Sequence, residues 1–134
     1  MTSITAPQWV SVKQVTALQK RTIEIHGGSS GIRDYGSLES ALVRPENFFS
    51  YGETDIFLLA ATYAEGIARN HSFVDGNKRA AYLTAAFFLR SNGFHLNIKS
   101  VPEQITLFEN LAKGAVSREE LATFYRLYTA KIEE

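Results

Sequence analysis

His71-Ser72-Phe73-Val74-Asp75-Gly76-Asn77-Lys78-Arg79 decides the fold. One imidazole, one carboxylate, a Gly-Asn turn and two cations are packed into a short loop that opens a helix. The next ten residues, Ala80 to Leu89, are apolar and helix-friendly, so a helix begins near Asn77 and stops at Asn92-Gly93. The first backbone N–H groups of such a helix lack intrahelical partners and carry the positive end of its dipole. A Gly76–Asn77 turn feeding that end, with Lys78 and Arg79 beside it, has the makings of an anion site, most economically for a polyphosphate. Asp75 fits beside phosphate if a divalent cation sits between them, and Mg²⁺ is commonly held by one carboxylate plus phosphate oxygens. His71 lies a few residues away, and an imidazole suits proton abstraction near neutral pH. As chemistry, the loop describes metal-assisted transfer of a phosphate-containing group to a hydroxyl.

Each of these residues also has a plainer explanation. Asp75 competes between capping the following helix, worth about 1 kcal/mol, and holding metal. Lys78 and Arg79 are either a solvated surface pair or phosphate ligands. Cations at a helix N-terminus oppose the dipole, a local penalty that an anion would offset. Phe73 is expected to face inward as structural support for the loop. Arg69, just before it, is as readily a solvated side chain as a phosphate contact. His26 and His95 are too far apart in sequence from each other and from His71 to show zinc-ligand spacing.

The loop resembles the signature of the Fic superfamily, His-x-Phe-x-(Asp/Glu)-Gly-Asn-x-(Arg/Lys), at His71, Phe73, Asp75, Gly76, Asn77 and Arg79. Between Asn77 and Arg79 the AMP-transferring branch has glycine. Here that residue is Lys78, as in the Doc (death-on-curing) toxins of toxin–antitoxin pairs, so the loop combines the Doc lysine with the Fic glycine at Gly76. Gly31 to Leu42 resembles the segment before the target-docking flap of Doc-like proteins, and Phe88 to Gly93 the end of their central helix. The resemblance covers roughly residues 10–130. It implies an all-α, Fic/Doc-like bundle of about six helices with a small β-hairpin or flap, in one domain over 1–134.

For function the resemblance implies a toxin that transfers the γ-phosphoryl of ATP, or another nucleoside triphosphate, to a protein hydroxyl, with a translation elongation factor, elongation factor Tu, as target. His71 would be the catalytic base and Asp75 the Mg²⁺ ligand. Gly76, Asn77, Lys78, Arg79 and Arg69 would hold phosphates. Two alternatives stay open: a Fic enzyme transferring AMP or another nucleotidyl group, and a catalytically idle Fic-fold binding module. Many Fic enzymes are restrained by a helix bearing (Ser/Thr)-x-x-x-Glu-(Gly/Asn). Thr62 with Glu65-Gly66 and Thr106 with Glu109-Asn110 are each one residue too short for it. Restraint is therefore expected from a Phd-like antitoxin, whose disordered tail folds into a helix in a groove beside the first helix and Gly31–Ala41.

Composition agrees with such an enzyme. At 134 residues with 45% hydrophobic content, the chain suits one domain with an ample core. Fourteen basic residues balance fourteen acidic ones, which gives no bulk attraction to nucleic acid or anionic membrane. Without cysteine there are no disulfides and no thiol catalysis. No basic-then-apolar N-terminal segment and no bilayer-length apolar run are present, so a cytoplasmic protein is expected.

Elsewhere the pattern is helical. Ser11 with Gln14 forms a capping-box signal, with Val12, Val15, Leu18, Thr22 and Ile25 as one face up to His26-Gly27-Gly28. Gly27 to Gly31 reads as loop, and Ser37 to Arg44 as a short helix stopped by Pro45. Glu46 to Gly52 reads as an ordered loop or hairpin exposing Phe48, Phe49 and Tyr51. Thr54 or Asp55 starts a buried helix through Ala68, and Phe94, Leu96 and Ile98 alternate as a strand. Ser100 with Glu103 and Ser117 with Glu120 are further capping boxes, opening helices near 101–113 and 118–131.

Overall fold

The computed structural model describes residues 5–97 and 101–133, the side chains of 101–105 excepted. The described residues form six helices: α1 Val12–His26, α2 Tyr35–Ser50, α3 Ile56–Asn70, α4 Asn77–Ser91, α5 Val101–Lys113 and α6 Arg118–Tyr128. Two short strands, β1 Phe94–Leu96 and β2 Thr129–Lys131, pair antiparallel with His95 opposite Ala130. The all-α expectation holds. No helix among the described residues is long and apolar enough to cross a membrane.

α3 is the axis of the bundle. Every residue from Leu59 to Ala68 is buried, and α2, α4, α5 and α6 all pack on it. That is possible because its sequence is rich in alanine and contains Gly66. A Cβ on Gly66 would lie 3.0 Å from the Ala41 Cβ of α2, so a side chain there would push the two helices apart. α4 lays Ala80, Ala81, Thr84, Ala85, Phe88 and Leu89 into the core, and α1 crosses α4 beside the loop that joins it to α3. Trp9 stacks on Phe88 with centroids 6.0 Å apart and meets Phe49 edge-on, closing the N-terminal side.

Several elements depart from the pattern reading. Pro45 does not stop α2: it is buried inside a helix of sixteen residues. Proline removes one backbone donor, but packing on α3 carries the helix through that gap. Of the expected loop or hairpin at 46–52, residues 46–50 are consequently the end of α2, and Tyr51–Gly52 form the turn that follows it. Phe48 and Phe49 pack against the core, and only Tyr51 of the three aromatics is exposed. The buried side of α1 is Val15, Gln19 and Thr22, and Ile25 is exposed; the stripe expected through Leu18 and Ile25 is rotated by a fraction of a turn. α6 ends at Tyr128 instead of 131, because Thr129–Lys131 leaves the helix to pair with β1. The amide of Ile132 then donates to the Gly93 carbonyl at 2.8 Å. The small sheet therefore joins distant segments and is not a hairpin. The capping boxes at Ser11/Gln14 and Ser117/Glu120 are both formed. The Ser100/Glu103 box and Ile98 lie outside the described residues.

Candidate active site

The loop between α3 and α4 is built around a backbone outlier. His71, the residue that ends α3, adopts φ 50° and ψ 43°, the one left-handed non-glycine among the described residues. Such a conformation costs a bulky L-residue on the order of 1–2 kcal/mol, and it persists where neighbours over-determine it. Here they do. The Arg33 Nε–H donates to the His71 carbonyl at 3.0 Å, and the amides of Arg33 and Asp34 both donate to the Ser72 carbonyl, at 2.7 and 3.1 Å. The Val74 amide donates to the Gly31 carbonyl at 3.1 Å, and Ile32 bridges Phe73 in antiparallel fashion. Residues 31–34 thus splint the loop like a one-rung strand, and the His71 side chain stands exposed above it. Phe73 is 1% exposed and faces inward, as expected of a residue supporting the loop.

At the other end Gly76 is the N-cap of α4 with φ 73°, a left-handed position that suits glycine. No side chain caps this helix, so Asp75 is not the cap that its position allowed. Its Oδ2 instead accepts the Ser29 amide at 2.8 Å, and its carbonyl accepts the Gln19 Nε2–H at 2.9 Å. Asn77 turns its side chain back on the loop. The Phe73 amide donates to Asn77 Oδ1 at 3.0 Å, and Asn77 Nδ2 donates to the Phe73 carbonyl at 3.0 Å. The Asn77 amide group is therefore a clasp; only its backbone N–H remains for an anion. Lys78 and Arg79 are exposed, and neither is ion-paired among the described residues. With no acidic residue in the first turn of α4, an uncapped positive helix end and two unpaired cations face solvent beside Asp75 and His71.

Arg69 is not part of this arrangement. Its Nε donates to the Leu111 carbonyl at 2.9 Å, one terminal nitrogen donates to the Val116 carbonyl at 3.2 Å, and the other pairs with Glu65 at 3.2 Å. A guanidinium with each nitrogen engaged ties α3 to the end of α5 and the turn that follows it, so the structure places Arg69 with Glu65 and not with the cations of the loop. Glu65, 7% exposed, also receives Arg44 from α2 at 3.3 Å and Arg118 from α6 at 3.9 Å. This charged knot behind the loop was invisible in the sequence, because its members come from three helices.

The donor set fits magnesium held jointly with a polyphosphate. Among the described residues no three His, Cys, Asp or Glu side chains converge into an all-protein cage. A single exposed carboxylate next to a cationic helix start is the arrangement that Mg²⁺ takes with nucleotide phosphates. The sequence reading missed Gln19, Ser29 and Arg33. The signal for Gln19 was a polar residue one turn from Val15 on the buried side of an amphipathic helix; Ser29 and Arg33 act through a backbone amide and a long-range contact that leave no local pattern.

The sequence model of the Fic/DOC family matches residues 9–89, which include the loop and the segments that splint it. The chain is 37% identical over 121 residues to the protein kinase doc of Escherichia phage P1, covering 89% of this chain and 94% of that protein. It is 44% identical over 73 residues to the toxin Doc of Mycolicibacterium smegmatis, covering 52% of this chain and 55% of that one. With its helical bundle and its His71–Arg79 loop, the chain belongs to the Doc family of the Fic/Doc superfamily.

Proposed function

We propose that this protein is the toxin of a toxin–antitoxin pair and a protein kinase, transferring the γ-phosphoryl of ATP to a hydroxyl of a translation elongation factor, elongation factor Tu, in the cytoplasm. The observation that carries the reading is Lys78 at the start of α4, exposed and unpaired among the described residues. In the AMP-transferring branch a glycine at this place leaves the helix start open to the inner phosphates. A lysine fills that space and presents a point charge to the outer ones. The names of the two relatives, a protein kinase and a toxin, support the same reading.

Four groups of the chain divide the work. The His71 imidazole accepts the proton of the attacking hydroxyl. The amides at Gly76 and Asn77, with the side chains of Lys78 and Arg79, hold phosphate oxygens and neutralise charge at the uncapped helix end. Asp75 would hold Mg²⁺, which would supply neutralisation of the phosphate charge. Phe73 and the Asn77 clasp keep the loop in place. Arg69 drops out of the phosphate set.

The restraining partner is a Phd-like antitoxin. A shallow, open depression between the start of α1 and α2 is lined by Val10, Val12, Leu42 and Val43 together with Glu39 and Glu46. It suits an amphipathic helix with apolar anchors and basic flanks. Incubation with bacterial lysate and ATP labelled at the γ or, separately, the α phosphorus tests the reading. Label is expected on a protein from the γ position only; transfer from the α position would replace the kinase with a nucleotidyltransferase.

A further inference from the structure

We infer that Gln19 and the Gly28–Ser29 segment are positioning elements for the Asp75 carboxylate, leaving its Oδ1 as the oxygen offered to a divalent cation. This rests on the proposed role of Asp75.

Gln19 is fully buried on α1 between Val15 and Thr22. Its Nε2 makes one hydrogen bond, to the Asp75 carbonyl, and its Oε1 is buried with no partner among the described residues. Leaving a buried carbonyl oxygen unsatisfied costs about 1–3 kcal/mol, so an unbranched apolar side chain would serve the core at least as well. What the amide supplies is the contact to Asp75. The second hold is independent of the first and acts on the carboxylate itself. The Ser29 amide engages Oδ2 at 2.8 Å, and Gly28 lies so close that a Cβ there would be 3.3 Å from both Asp75 Cβ and Oδ2. Asp75 is thus fixed at its carbonyl by α1 and at one carboxylate oxygen by the loop that follows α1. Oδ1 carries no hydrogen bond among the described residues. Magnesium tolerates little deviation from octahedral geometry, and partners that orient a ligating carboxylate control affinity nearly as strongly as the ligand does.

Calorimetric titration with the β,γ-imido analogue of ATP, in magnesium and in EDTA, separates metal-dependent from metal-independent affinity. Gln19→Met keeps the side-chain length and removes the donor. Gly28→Ala crowds Asp75 and, at 3.2 Å, Ile23 Cδ1 from an exposed loop; because φ 108° also strains an alanine there, its thermal midpoint is read beside its affinity, and a folded Gly28→Ala carries the test alone if Gln19→Met fails to fold. Each variant is expected to lose about 10–100-fold in affinity in magnesium, with affinity in EDTA unchanged. The thermal midpoint of Gln19→Met should be no lower than that of the wild type. An equal loss with and without magnesium identifies a purely structural role and overturns the inference. So does wild-type magnesium dependence in both variants when Asp75→Asn has lost it. Wild-type magnesium dependence in Asp75→Asn itself overturns the metal role of Asp75, and this inference with it.

Discussion

Asn77 sits in the family signature, yet its side chain faces the loop and not the solvent, and Asn77→Ala tests that assignment. The substitution deletes two hydrogen bonds of 3.0 Å to the backbone of Phe73, whose residue is almost wholly buried. A hydrogen bond of this kind contributes about 0.5–1.5 kcal/mol net, so the pair accounts for roughly 1–3 kcal/mol. The upper part of that range is expected, because no water easily reaches the Phe73 amide and carbonyl once the clasp is gone. Asn77→Asp should fall between: one carboxylate oxygen still accepts from the Phe73 amide, the other opposes the Phe73 carbonyl, and the charge gains about 0.3–1 kcal/mol from the helix dipole. Urea unfolding followed by circular dichroism reads the midpoint, with an unchanged slope confirming that only stability moved. An unfolding free energy of Asn77→Ala within about 0.5 kcal/mol of wild type, the range of an ordinary surface change, would refute the clasp and return the side chain to the phosphate set.

Other perturbations follow from the same contacts. Glu65→Ala removes the carboxylate shared by Arg44, Arg69 and Arg118; because all three are partly exposed, Arg69 keeps its two carbonyls and Arg118 keeps Glu119, it should destabilise by about 1–3 kcal/mol, which thermal unfolding measures. His71→Ala should cost roughly 10²–10⁴-fold in transfer rate with fold and nucleotide affinity retained, and activity within a few-fold of wild type would remove His71 as the base. Expression without a partner should arrest a bacterial host and His71→Ala should relieve the arrest; harmless expression of active wild-type protein would count against a toxin. Burial pushes the Tyr63 phenol from 10.0 up to about 12 and raises that of Tyr125 as well. The neutral phenols therefore contribute in full below pH 10, and that stability is lost as pH climbs toward 12, so unfolding midpoints followed across that window should fall steeply. Flat stability through it would contradict the burial of these rings.

The loop was legible because its residues are contiguous: nine positions carry the imidazole, the carboxylate, the turn and the cations. Helix starts were legible for a similar reason, since Ser11/Gln14 and Ser117/Glu120 cap within one turn. What the pattern could not show is tertiary. Pro45 reads locally as a stop, and only the packing of α2 on α3 overrides it. Thr129–Lys131 continues a helical pattern until β1, more than thirty residues earlier, offers a ladder. Arg69 beside the His71–Arg79 loop looks like a ligand until Glu65 and the carbonyls of Leu111 in α5 and Val116 after it claim it. Asn77 looks like a ligand for the same reason, and here the competing partner is only four residues away.

The central claim is that the Lys78 loop moves a phosphoryl group, and the mass added to the purified target, measured on the intact protein, tests it most directly. Wild-type protein with ATP and magnesium should add one phosphate. Lys78→Gly, which reopens the helix start, should add less phosphate or begin to add a nucleotide. A nucleotide added by the wild type would contradict the account and place the chain with the AMP-transferring enzymes.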